Sequence, residues 1–144
     1  MGSLARPLPA AGTVTRLVAE GDVVAAGTVV ATVDGTPLVA LYGDLPPWRD
    51  LSSSSSDGAD VYQLELNLVA LGFGPDGDIA VDRTYDSATT AAVERWQDSL
   101  GIEATGDVPQ SLVTYVAGRV LIDDVTATVG GGVAAGGTLA TGRL

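Results

Sequence analysis

Apolar and polar positions alternate in short bursts at the two ends of the chain and follow a longer period in the middle. From Ala11 to Asp50 the apolar runs are brief and broken by glycine. Thr13 to Val18, Val23-Val24, Thr28 to Val33 and Thr36 to Tyr42 read as strands rich in Val, Thr and Ala. Asp34-Gly35 between two apolar runs marks a hairpin, because its turn needs positive φ. Pro46-Pro47 ends the pattern. Between Asp60 and Val108 the period becomes helical. Val61, Leu64, Leu68 and Leu71 fall on one helix face, and Ala88, Ala92, Val93, Trp96 and Leu100 on another. Asp60 with Gln63 has the spacing of a capping box, and Asp86 is placed to cap a second helix over Ser87 to Leu100. Leu71-Gly72 and Leu100-Gly101 are matching stops. From Leu112 to Leu144 the β character returns.

Two other patterns organise these segments. Ser52 to Ser56, closed by Asp57-Gly58, reads as a flexible, solvated linker. The outer segments share an internal repeat. With Gly21 set against Gly130, Val24-Ala25-Ala26-Gly27 meets Val133-Ala134-Ala135-Gly136, and Ala31-Thr32 meets Ala140-Thr141. Neither outer segment has enough strands to bury an apolar face alone, so the two are expected to fold together around the helical insert.

Composition narrows the chemistry. The 144 residues are 46% hydrophobic and 17% charged, with 19 glycines, which suits one domain or two small ones. The net charge of −11 repels phosphate backbones, so a nucleic-acid partner is not expected. There is no His and no Cys, and all seven basic residues are arginines. The commonest general base, thiolate nucleophiles, zinc knuckles and lysine-linked cofactors are therefore excluded. No apolar run approaches the ~20 residues of a spanning helix. Asp76, Asp78 and Asp82 lack the spacing of a calcium loop. Glu94 and Asp98 sit four apart on a helix, and nothing in the pattern marks either as the buried acid that paired-carboxylate hydrolysis needs. The expectation is a protein that is not an enzyme and holds neither metal nor cofactor.

Residues 60–108 resemble the peptidoglycan-binding-domain family. The match rests on Asp60-Val61, Gln63-Leu64, Leu68, Leu71-Gly72-Phe73, Asp76-Gly77, Tyr85-Asp86, Ala88-Thr89, Ala92-Val93, Trp96-Gln97 and Gly101-Ile102. That family normally adds a third helix after the region of Gly106-Asp107. Here Pro109 and a β-rich run follow, so the third helix looks truncated. The flanks, Gly12 through Gly27 and Arg119 through Thr141, resemble the lipoyl-like halves of membrane-fusion adaptors, in which an insertion separates the halves.

Together these readings imply an α+β protein. Residues 11–50 with 112–144 form a split β-sandwich of lipoyl/biotinyl-like type, 51–59 the Ser-rich linker, and 60–111 an inserted helical domain. The function implied is an extracytoplasmic adaptor segment of an efflux system. Its partners would be exporter subunits such as an ABC-type permease, and peptidoglycan, with targeting and anchor segments lying outside this chain. The alternatives are a wall-anchoring peptidoglycan-binding module, or a structural insert without wall binding. Ligand contact is assigned to Arg83, Tyr85, Trp96 and Gln97. Arg83 offers a guanidinium to a peptide carboxylate, and Tyr85 is expected to be exposed beside it. The helical spacing of Trp96 equally suits a core position.

Overall fold

A computed structural model describes residues 12–74, 80–125, 132–133 and 140–143. The chain divides into two compact units, residues 1–46 with 111–144, and residues 47–110. It is a mixed α+β protein.

The first unit is built from strands β1 (Gly12–Leu17), β2 (Val23–Val24), β3 (Val29–Val33), β4 (Thr36–Tyr42), β5 (Val113–Val116), β6 (Val120–Val125), β7 (Gly132–Val133) and β8 (Ala140–Arg143). They form a five-stranded sheet in the order β5-β4-β3-β1-β7 and a three-stranded sheet in the order β2-β6-β8. Asp34 and Gly35 both adopt positive φ, 52° and 81°, and turn β3 into β4. Strand β4 is buried from Pro37 to Leu41 and lies inside its sheet, with β3 antiparallel on one side and β5 parallel on the other. Val24, Val30, Ala40, Val116, Val120 and Ile122 form one apolar cluster that draws on both sheets. Neither outer segment owns this core, as the shortness of each half requires.

The two halves are related by exchange. In the first half β1 pairs antiparallel with β3 through Val14↔Val33, Arg16↔Thr32 and Leu17↔Ala31. In the second, β6 pairs with β8 through Ile122↔Gly142, Asp124↔Thr141 and Val125↔Ala140. The register slips at the equivalent step in each, between Val14 and Arg16 and between Ile122 and Asp124. The short middle strands cross over: β2 pairs with β6, and β7 pairs with β1. Val23↔Leu121 and Val24↔Val120 answer to Thr13↔Gly132 and Gly12↔Val133. The internal repeat is thus a repeat of strand pairing as well as of residues. Gly130, Ala134, Ala135 and Gly136 of its second copy lie outside the described residues.

The second unit holds helices α1 (Ala59–Ala70) and α2 (Ser87–Ser99). Val61, Leu64 and Leu68 of α1 and Ala92, Val93 and Trp96 of α2 are all buried, on the faces that the period marks. The caps differ from each other. Asp86 caps α2 in a reciprocal box with Thr89. At α1 the expected Asp60–Gln63 box is absent: Gly58 is the N-cap and makes no side-chain cap bond. Asp60 lies inside the first turn, where its carboxylate is taken by Arg49.

The serine segment also departs from expectation. It belongs to the helical unit and is hydrogen-bonded rather than free. The Ser52 N–H donates to Ser55 Oγ at 2.9 Å, and Ser56 accepts twice from Arg49 at 2.8 Å. Serine hydroxyls bond readily to nearby backbone, which turns a polar run into a defined loop. The unit's two ends meet. Leu51 and Val108 exchange N–H···O bonds of 2.8 Å, and the Gln110 N–H donates to Asp50 Oδ1 at 2.8 Å. After Val108 a single 3-10 turn, Gln110–Leu112, leads into β5 where a third helix would stand.

Candidate functional site

The four candidate ligand residues take different fates. Trp96 and Gln97 are buried within the second unit. Gln97 Nε2 donates to Asp107 O at 2.8 Å, and its Oε1 accepts from the Gly106 N–H at 2.9 Å. This amide ties the loop after α2 to the helix. Tyr85 corrects the expectation of an exposed ring, since it is only 3% exposed. Its hydroxyl donates to the Gly106 carbonyl. Burial, with the Asp107, Glu94 and Glu65 carboxylates nearby, pushes its phenol above the usual range. The loop after α2 thus supplies the acceptor that its buried hydroxyl needs. Arg83 remains exposed.

Arg83 stands at one end of a hydrogen-bonded chain that the sequence pattern does not reveal. Its carbonyl accepts from the Gly58 N–H at 3.0 Å. Gly58 in turn lies against the Arg49–Asp60 pair. A Cβ on Gly58 would come within 2.5 Å of Asp60 Oδ1 and 2.9 Å of Arg49 Nη2. Glycine is needed here for space, since its backbone is extended. The Arg49 guanidinium donates to both oxygens of Asp60, at 2.7 and 2.9 Å, and to Ser56 Oγ and O. These bonds hold the Asp60 carboxyl below its usual range. Arg49 also lies 4.6 Å from the ring centre of Trp48, a cation–π arrangement. Trp48 is 61% exposed.

The helical unit therefore carries an exposed indole with a fixed guanidinium against its ring, and an exposed arginine whose backbone is tied to Gly58. An exposed indole can stack a sugar ring, and an exposed guanidinium can pair with a carboxylate. Pro47-Trp48-Arg49 lies before the helical period begins, so periodicity gave no reason to select it. The lone Trp outside a strand or helix pattern was the available signal. Among the described residues no three His, Cys, Asp or Glu side chains come together as a metal site. Asp76 and Asp78 lie outside the described residues.

Residues 57–111 match the family described as a putative peptidoglycan binding domain, so the chain contains such a domain. It is also 30% identical over 105 residues to a zinc D-Ala-D-Ala carboxypeptidase from Streptomyces albus G. That alignment covers 70% of this chain and 41% of the relative, so the chain spans well under half of that protein's length. No solved structure matches the chain with significance.

Proposed function

We propose that this chain is a wall-binding module, in which the helical unit takes peptidoglycan and the duplicated β unit carries it. The observation behind this reading is that the segment matching the family, 57–111, coincides closely with a unit that closes on itself at Leu51–Val108. The binding surface is the end formed by Trp48 and Arg83, with the indole on a glycan ring and the guanidinium on a stem-peptide carboxylate. The module acts outside the cytoplasm, where peptidoglycan is found, and it binds without catalysing. Its lack of His, Cys and Lys supports that last point.

The test is co-sedimentation with purified sacculi. The native chain should pellet with them at moderate salt, and Trp48→Ala and Arg83→Ala should each weaken retention about tenfold, as losing a charged hydrogen bond or a stacked ring does. With a net charge of −11, the protein will not be captured by acidic wall polymers through simple charge. Retention no better than an acidic control protein would sink the reading. Retention unchanged in the double variant would move the site elsewhere.

A second reading follows from the split β unit. The exchange of β2 and β7 between two equivalent halves, with a unit inserted between them, supports a lipoyl-like β domain of the kind that membrane-fusion adaptors carry. In that reading the partners are exporter subunits, and cross-linking to a permease in cells tests it.

A further inference from the structure

The helical unit contains a buried carboxyl group that neither reading uses. Glu65, in the middle of α1, is fully buried. Its Oε1 accepts from the Asp82 N–H at 2.8 Å, and its Oε2 lies 2.5 Å from Thr89 Oγ1. The same Thr89 hydroxyl lies 3.0 Å from Asp86 Oδ1 and accepts from the Asp86 N–H at 3.3 Å. A threonine hydroxyl has one hydrogen. With Glu65 ionised, two carboxylates compete for it. With Glu65 protonated, Glu65 donates to Thr89, Thr89 donates to Asp86, and every close oxygen pair contains a hydrogen. Among the described residues the charged groups that act on Glu65 are anionic, Asp82 on the loop before α2 and Asp86 at the α2 cap. Tyr85 is a further titratable group near it. Arg49, the cation that pairs with α1, is engaged by Asp60.

We propose that Glu65 is a proton-operated latch that fastens the segment Asp82–Asp86 and the start of α2 to α1. Protonated, it completes the hydrogen-bond chain. Ionised, it is a buried charge beside two carboxylates, and the segment loosens. Burial, with those neighbours, lifts its pKa to about 7, which places the switch near neutrality. The segment it fastens includes Arg83, so the latch governs how firmly that arginine is presented. This holds whether or not the surface binds peptidoglycan.

The test uses the whole chain. Carboxyl carbon NMR should show Glu65 titrating near neutral pH. Hydrogen exchange at the Asp82 amide, corrected for intrinsic rate, should quicken between about pH 5.5 and 8. The gain should approach tenfold for each unit by which the latched pKa exceeds that of the open form. Glu65→Gln keeps an acceptor for Asp82 and a donor for Thr89. It should hold Asp82 protected at pH 8 and flatten the profile. A Glu65 carboxyl titrating in the ordinary range overturns the proposal, and so does an E65Q chain that keeps the native pH slope. If that variant fails to fold, the native titration alone decides.

Discussion

At the residue scale, polar side chains that look like surface chemistry are spent on holding the second unit together. Gln97 and Tyr85 both close on Gly106, and Arg49 closes on Asp60 and Ser56. Gly58 is a crowded point in this network. Gly58→Ala places a Cβ 2.5 Å from Asp60 Oδ1, so the carboxylate must move and the paired guanidinium with it. The expected loss is about 1–3 kcal/mol, the usual range for forcing atoms into a filled site. Chemical denaturation measures it. A variant as stable as the native chain, with the Arg49–Asp60 pair intact by NMR, would show that the crowding is relieved at no cost.

At the element scale, the two helices start in different ways, and two carboxyl groups of α1 respond to pH in opposite senses. Helix α2 relies on its own cap, so Asp86→Ala should cost about 0.5–2 kcal/mol in unfolding free energy. Helix α1 depends on Asp60, whose folded pKa is depressed. Its contribution is present above the unfolded value of 3.8 and is lost as pH falls through the folded one. Glu65 works the other way, because its pKa is raised from 4.5 to about 7. The folded state then holds a proton that the unfolded chain releases, so stability falls as pH rises through that window. Thermal melts from about pH 3 to 8 should show the helical unit most stable in weakly acidic solution. A plateau extending unchanged to pH 8 contradicts the Glu65 half of this expectation.

At the scale of the whole molecule, the β unit is one fold made from two segments far apart in sequence. Removing residues 119–144 deletes β6, β7 and β8, and with them β2's partner and one of β1's two. It also removes Val120 and Ile122 from the shared cluster. Burial of each such side chain contributes about 1.5–3 kcal/mol, against net stabilities of only about 5–15 kcal/mol for whole domains. The truncated chain should lose the amide dispersion of residues 12–42, while the helical unit keeps its protected core. Strands still protected there after truncation would mean that the first segment folds alone.

The sequence by itself determined the strands of the first segment and the two helices, but did not delimit the strands after Leu112. Val61, Leu64 and Leu68 on one face, the Asp86 cap, the Leu-Gly stops and the Asp34-Gly35 turn act through neighbours a few residues away, so local pattern reveals them. The repeat made a relation between the outer segments legible too, but not which strands pair. Only the tertiary structure decided that β2 and β7 change places, because pairing between distant segments leaves no periodic trace. The surface was decided in the same way. Tyr85 and Gln97 turn inward because Gly106, reached through the loop after α2, supplies their partners. Trp48 is exposed, with Arg49, locked by an aspartate eleven positions on, lying against its ring. Whether a polar or aromatic side chain faces solvent depends on what the fold brings to it, and that is settled by contacts the chain order does not display.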